Sequence, residues 1–433
     1  MQRNFGLIAS LVTVLGIWGM ISLSRPGLPT PRGWVAQAGA SLNDPNAGGR
    51  LQRALARYNR IAAKGGWQRL PDDLVLENGQ TSPHVAPLKQ HLLLTGDLKR
   101  PFFLVRLFRR SPPDLFDFDT QAALRQFQQR HGLEPDGKVG PETLKALNVP
   151  VQTRIRQMEI NLMRVRSFSG DWRVPRAIGV NIPEYRLSAF ENGREKLTMR
   201  VVIGTEFDPT PVFSDNMTYI VFRPEWNIPK SIAHEEILPQ LQEDSDILEK
   251  KSLEVVDRAG DEPTVVDPGS VDWSEFESSG YELRQRPGPR NPLGNIKFMF
   301  PNQYNVYLHD TPADSLFKED ERAFSHGCIR VERPIEMAEF VLGHDPNWTL
   351  DRIRAAMDDS VSRTVSLPEP IPVHIVYWTT WVTGDGSVHF RDDVYNLDAE
   401  SKMSFHATQP QSPDAFASGG DAPLRGLTRA SIQ

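Results

Sequence analysis

Tyr307-Leu308-His309-Asp310-Thr311-Pro312 and, shortly after it, Arg322-Ala323-Phe324-Ser325-His326-Gly327-Cys328-Ile329-Arg330-Val331 place the single cysteine of the chain beside two histidines. Val306 to His309 reads as a strand. Side chains alternate along a strand, so Tyr307 and His309 share a face. A thiol acts as a nucleophile only as thiolate, and a free one titrates near ~8.5, so a neighbouring base or dipole must activate it. Acyl transfer also needs donors aimed at the developing oxyanion. Gly327 lets the backbone turn so that N–H groups converge. The composition therefore suits a Cys–His acyl-transfer site. A buried structural cysteine and a His–Cys metal site remain open, the latter only if Asp310 completes the ligand set. His326 is the nearer histidine in sequence. In an extended run, however, residues i and i+2 lie side by side, about 6–7 Å apart at ~3.3 Å rise per residue. A neighbouring strand brings Cβ atoms within ~4.5–5.5 Å. His309 is thus the expected base, and a variant without the His326 side chain is expected to keep a measurable fraction of activity.

The 433 residues suffice for several domains. Apolar residues make up 39% and charged residues 24%, a balance that folds. Lysine plus arginine is 49 and aspartate plus glutamate 55, a formal charge of −6, which argues against a nucleic-acid partner. One cysteine excludes an internal disulfide and a multi-cysteine zinc site. No cofactor motif is present. Near the N-terminus, Arg3 precedes an apolar run from Phe5 to Leu23. As a helix, its 19 residues reach about 28 Å, close to the ~30 Å core of a bilayer. This reads as a signal-anchor. A cleaved signal peptide is less favoured, because the small-residue site Ala36-Gln37-Ala38 lies far from the run. The expected location is the bacterial periplasm, tethered to the inner membrane.

Residues 26–46 read as a flexible tether and 47–84 as a helical segment, with Leu51, Leu55, Tyr58 and Ile61 at helical spacing. Residues 85–150 read as a compact module of three helices. Asp119 is the expected cap of Thr120–Arg130, Gly132 its stop, and Pro141 the first position of the next helix. A connecting helix follows within 151–173. Its arginines Arg154, Arg156, Arg164 and Arg166 are expected on a solvated face. Residues 174–395 change to strand period, interrupted at about 225–286 by a charged, proline-rich insertion of the kind that forms lids. Residues 396–433 are polar and expected to be disordered.

Ala122-Ala123-Leu124-Arg125-Gln126-Phe127-Gln128-Gln129-Arg130-His131-Gly132-Leu133 with Asp136-Gly137-Lys138-Val139-Gly140-Pro141-Glu142-Thr143-Leu144 resembles the peptidoglycan-binding-domain-like family. His309-Asp310-Thr311 followed by Ser325-His326-Gly327-Cys328-Ile329-Arg330 resembles L,D-transpeptidases with the YkuD-type catalytic domain. Asn181-Ile182-Pro183-Glu184-Tyr185, Thr210-Pro211-Val212-Phe213 and Pro224-Glu225-Trp226-Asn227-Ile228-Pro229 are similar to the larger, YcbB-type subfamily. The resemblance implies an α+β chain: a mostly-β catalytic domain with an inserted lid, preceded by the helical wall-binding module. It implies Cys328 as nucleophile, His309 as general base and acid, and the Asp310 backbone carbonyl as the group orienting His309. It also implies an oxyanion hole of the His326, Gly327 and Cys328 N–H groups, and 3→3 cross-linking of peptidoglycan stem peptides without metal or cofactor. Carbapenems would acylate the same thiol, and peptidoglycan synthases are candidate partners. Tyr307 either lines the donor pocket or merely packs; Arg330 either holds a substrate carboxylate or makes a structural salt bridge. L,D-carboxypeptidase, lipoprotein-to-wall transferase and a non-catalytic scaffold are the competing uses.

Overall fold

The computed structural model describes residues 42–99, 111–244, 246–259, 263–276 and 278–400. The Phe5–Leu23 run, the Ala36-Gln37-Ala38 site and the tail from Ser401 lie outside them. Among the described residues, no helix is long and apolar enough to cross a membrane.

The strand-rich half is a sheet that closes on itself. Its strands are β1 (Arg176–Asn181), β2 (Arg186–Glu191), β3 (Arg194–Gly204), β4 (Phe213–Phe222), β9 (Ile296–Met299), β10 (Leu308–His309), β11 (Ala323–Ser325), β12 (Ile329–Val331) and β13 (Arg363–Val376), in the order β11-β3-β12-β10-β9-β4-β13-β1-β2, with β2 returning to β3. β3 makes this closure possible because it is 11 residues long. Its first part pairs with β2, from Arg194↔Glu191 to Arg200↔Arg186, and its last part pairs with β12 and β11. Asn192 and Gly193, both at positive φ, make the tight β2–β3 turn. The prolines Pro368 and Pro370 sit where β13 loses register with β4 between Ser366 and Ile371, as residues without a ladder N–H should. Ile178, Val180, Leu187, Ile220, Phe298 and Ile329 fill the core and are fully buried.

The insertion is a small domain of its own. β5 (Trp226–Asn227), β6 (Leu253–Asp257), β7 (Thr264–Val266) and β8 (Tyr281–Gln285) form a separate sheet in the order β5-β8-β6-β7. Ile228, Ile237, Val255, Phe276 and Leu283 make its core, with Trp226 packed against them. A π-helical turn, Ala233–Ile237, and the helix Leu238–Glu243 flank this sheet.

On the N-terminal side stand α1 (Ala47–Ala63), α2 (Val85–Thr95), α3 (Phe118–Arg130), α4 (Pro141–Leu147) and α5 (Val151–Ser167). Leu88, Leu92, Leu124, Phe127, Val139 and Leu147 form the core of the three-helix module α2–α4. The cap of α3 is Asp117, not Asp119: its side chain accepts from Thr120 N–H, and Asp119 lies inside the first turn. The solvated-arginine reading of α5 holds only for Arg156 and Arg166, which are exposed. Arg154 is buried 4.5 Å over the Phe390 ring, and Arg164 pairs with Asp398. The reason is that α5 is wedged between α1 and the hairpin of β14 (Thr380–Val382) and β15 (Val388–Phe390), so two of its faces are covered. The end of the expected tether is docked as well. Leu42 is buried against Phe190 and Trp378, and Asn43 donates to Gly193 O. Residues 397–400, at the start of the expected disordered tail, form a helical turn.

Candidate active site

The central piece is a parallel pair of very short strands. β10 pairs with β12 so that Leu308 faces Ile329 and His309 faces Arg330. Cys328 therefore sits one residue before its strand, level with Tyr307, whose carbonyl accepts from Ile329 N–H. Residues 326–328 are a bend and not the extended run used above to separate the two histidines, because Gly327 lies at φ +99. The bend turns His326 outward, where Nε2 is 3.1 Å from Glu236 of the insertion.

His309 is buried and its Nδ1 lies 2.6 Å from Asp310 O. A carbonyl can only accept, so Nδ1 carries the proton and Nε2 keeps its lone pair. Burial, then the Arg330 and Lys297 charges, push its pKa down to about 3, against the opposing Asp310 hydrogen bond. The ring is thus a neutral base at physiological pH. The Asp310 carboxylate does separate work: it accepts from Asn295 N–H and Thr311 N–H, both at 2.7 Å. Gly294, at φ +61, leaves room for it; a Cβ there would lie 2.3 Å from Asp310 Oδ2.

Cys328 is half-buried, with Sγ 3.8 Å from Asn305 O. Burial raises its pKa, while Tyr307, Lys297 and Arg330 act to lower it. Tyr307 faces the thiol, stacks edge-on to His309 at 5.7 Å, and has its own pKa raised by burial and by the neighbouring sulfur. Among the described residues the thiol has no hydrogen bond to either imidazole. Resting thiol and imidazole are therefore both neutral, and His309 stands on the strand paired with the one that follows the thiol, without a hydrogen bond to it. No carboxylate lies within ion-pair distance of Arg330 among the described residues, and its buried Nε has no partner. The structure thus brings Cys328, Tyr307, His309 and Arg330 together and carries His326 away.

Sequence reasoning missed Lys297, Asn305, Gly204, Thr210 and Tyr395. Lys297 arrives because β9 pairs antiparallel with β10, opposite His309. Thr210 stood in a quoted phrase without a role. Tyr395 gave no local signal, since it meets the site only through the fold.

Residues 175–373 match the family described as "L,D-transpeptidase catalytic domain" (YkuD), and residues 103–147 match "Putative peptidoglycan binding domain". The chain therefore carries a YkuD-type catalytic domain and a peptidoglycan-binding module. A Haemophilus influenzae protein described as "Putative L,D-transpeptidase" is 32% identical over 228 residues, covering 52% of this chain and 45% of its own length. The chain thus matches less than half of that relative. An L,D-transpeptidase structure from Mycobacterium smegmatis aligns at 15% identity over 47% of this chain and 58% of that one, with a TM-score of 0.21. One from Stackebrandtia nassauensis aligns at 11% identity over 70% and 94%, with a TM-score of 0.25.

Proposed function

We propose that the protein is an L,D-transpeptidase that joins peptidoglycan stems by 3→3 cross-links. The observation that carries this reading is the His309 ring, fixed by Asp310 O in the tautomer that leaves Nε2 free, one strand from a lone thiol inside a matched catalytic domain. The thiol leaves Asn305 O and gives its proton to His309 Nε2 as sulfur attacks the carbonyl of the third stem residue. The carbonyl π pair moves onto oxygen, where the His326, Gly327 and Cys328 N–H groups would receive it. Collapse breaks the C–N bond, His309 protonates the leaving D-Ala amine, and a thioester remains. A second stem's side-chain amine, deprotonated by His309, forms the new amide and returns the thiol. Arg330, with no carboxylate partner among the described residues, suits a stem carboxylate, and Tyr307 suits the donor pocket beside the thiol. The substrate lies outside the cytoplasm. The Phe5–Leu23 run would carry and anchor the chain there, and the quoted phrases support a YcbB-type subfamily.

Purified protein given tetrapeptide-rich muropeptides should yield 3→3 dimers and free D-Ala by mass spectrometry. Cys328→Ala should yield neither, and His309→Ala should lose ~10²–10⁴-fold, the scale of general base catalysis. Simple tripeptides alone would make the protein an L,D-carboxypeptidase. Wild-type turnover in Cys328→Ala would sink the thiol mechanism.

A further inference from the structure

We propose that Thr210 is a positioning residue that sets the direction of the oxyanion-binding N–H of Cys328, an inference that rests on the acyl-transfer reading above. Thr210 is buried, at 1% exposure. Its Oγ1 accepts from Gly204 N–H at 2.9 Å and donates to Gly327 O at 2.8 Å. The hydroxyl has one proton, and Gly327 O takes it. Behind it, Tyr395 OH accepts from Thr210 N–H at 3.2 Å and donates to Gly204 O at 2.7 Å. The two hydroxyls therefore lock the end of β3 to the catalytic bend.

The consequence follows from peptide planarity. Gly327 C=O and Cys328 N–H belong to one trans plane and point opposite ways. Pinning the carbonyl towards Thr210 aims the N–H away from it. Among the described residues, that N–H has no hydrogen-bond partner of its own. The next plane is held too, because Ser325 Oγ donates to Cys328 O. The close approach leaves no slack: a Cβ on Gly204 would lie 2.0 Å from Asp208 O and 3.0 Å from Gly327 Cα. Thr210 has no contact with the thiol or with either histidine in this network, so it acts through the peptide plane.

Two reactions of Cys328 separate this role from general support. Opening of the imipenem β-lactam builds an oxyanion; displacement of iodide from iodoacetamide builds none. In Thr210→Val, which keeps the shape and loses the hydroxyl, imipenem acylation read by intact mass should fall by ~10-fold or more, below the ~10²–10³ for deleting a donor outright. The alkylation rate should be unchanged. Thr210→Ser should restore acylation, and Tyr395→Phe should show a smaller, equally selective loss. If Thr210→Val does not fold, the ratio of the two rates in Tyr395→Phe decides. Equal loss in both reactions, or no loss, overturns the inference. A wild-type protein that is alkylated but never acylated overturns the acyl-transfer reading itself, and the inference with it.

Discussion

The catalytic barrel meets its two neighbours in opposite ways. Against the helical module and α5 it presents the β14–β15 hairpin, and the contact is buried and aromatic. Trp67 stacks on His91 at 4.3 Å, Phe127 on His131 at 3.9 Å, and His131 on Phe390 at 5.4 Å. Arg130 holds Asp97 through two bonds of 2.7 Å and reaches Val388 O at 3.2 Å. Against the inserted domain, the catalytic bend offers the His326–Glu236 contact, with both side chains about half exposed at 51% and 48%. The insertion is otherwise held at its roots, where Asn291 donates to Pro224 O. One neighbour is fixed by desolvated groups that lose much by separating. The other meets the bend through a solvent-screened pair whose loss costs little.

The largest effect that would break this contrast is acid. Burial, followed by the charges of Arg130 and Arg154, lowers the His91 pKa to about 3 and that of His131 well below 6.5. Burial, then Arg391 and Arg130, lowers that of His389 to about 3, with Asp385 opposing. An unfolded chain binds these protons near 6.5 and the folded one does not, so stability falls as pH drops from 6.5 towards 3. Tryptophan fluorescence and denaturant midpoints should report a steep loss of stability across that window. A flat stability profile across that window would mean the histidines are hydrated and the interface is not the fixed one. His309 shares the lowered value, so it should add no acidic limb to Cys328 acylation above about 3.

Phe390→Ala comes next. It removes the ring that receives Tyr58, His131 and Arg154, and a fully buried phenylalanine cut to alanine costs about 3–5 kcal/mol. Urea unfolding should show that loss, while iodoacetamide labelling of Cys328 in the folded fraction stays at the wild-type rate. A coupled loss of labelling would show that the module interface supports the site directly.

The two interfaces also differ in how legible they were. The lone cysteine, the strand Val306–His309 and the Asp136-Gly137 turn carry local signals, so the site, the module helices and most barrel strands could be read from the sequence. The buried arginine face of α5 could not. Arg154 looks like any surface residue until Phe390, far along the chain, is laid under it. The insertion read as charge and proline because its strands are only 2–5 residues long and few of their positions are buried. His326 was separated from Cys328 by a strand argument that does not apply at a left-handed glycine, although the ring does turn away from the thiol.

Glu236→Ala should have the smallest effect and is the sharpest test of the lid side. An exposed ion pair is worth ~0–1 kcal/mol, so unfolding midpoints should not move measurably. If the pair holds the insertion over the thiol, deleting it raises the open-to-closed ratio by at most ~5-fold, the factor that 1 kcal/mol converts to. Iodoacetamide labelling of Cys328 should therefore quicken by no more than that. Salt screens exposed charges within ~3 Å at 1 M, so under conditions where His326 is protonated high salt should bring the wild-type rate up to that of Glu236→Ala and leave the variant unaffected. A rate increase well beyond ~5-fold, or one that salt cannot reproduce, would mean that Glu236 holds the insertion by something stronger than a screened pair. The lid would then be fixed as firmly as the module, and the contrast between the two interfaces would be lost.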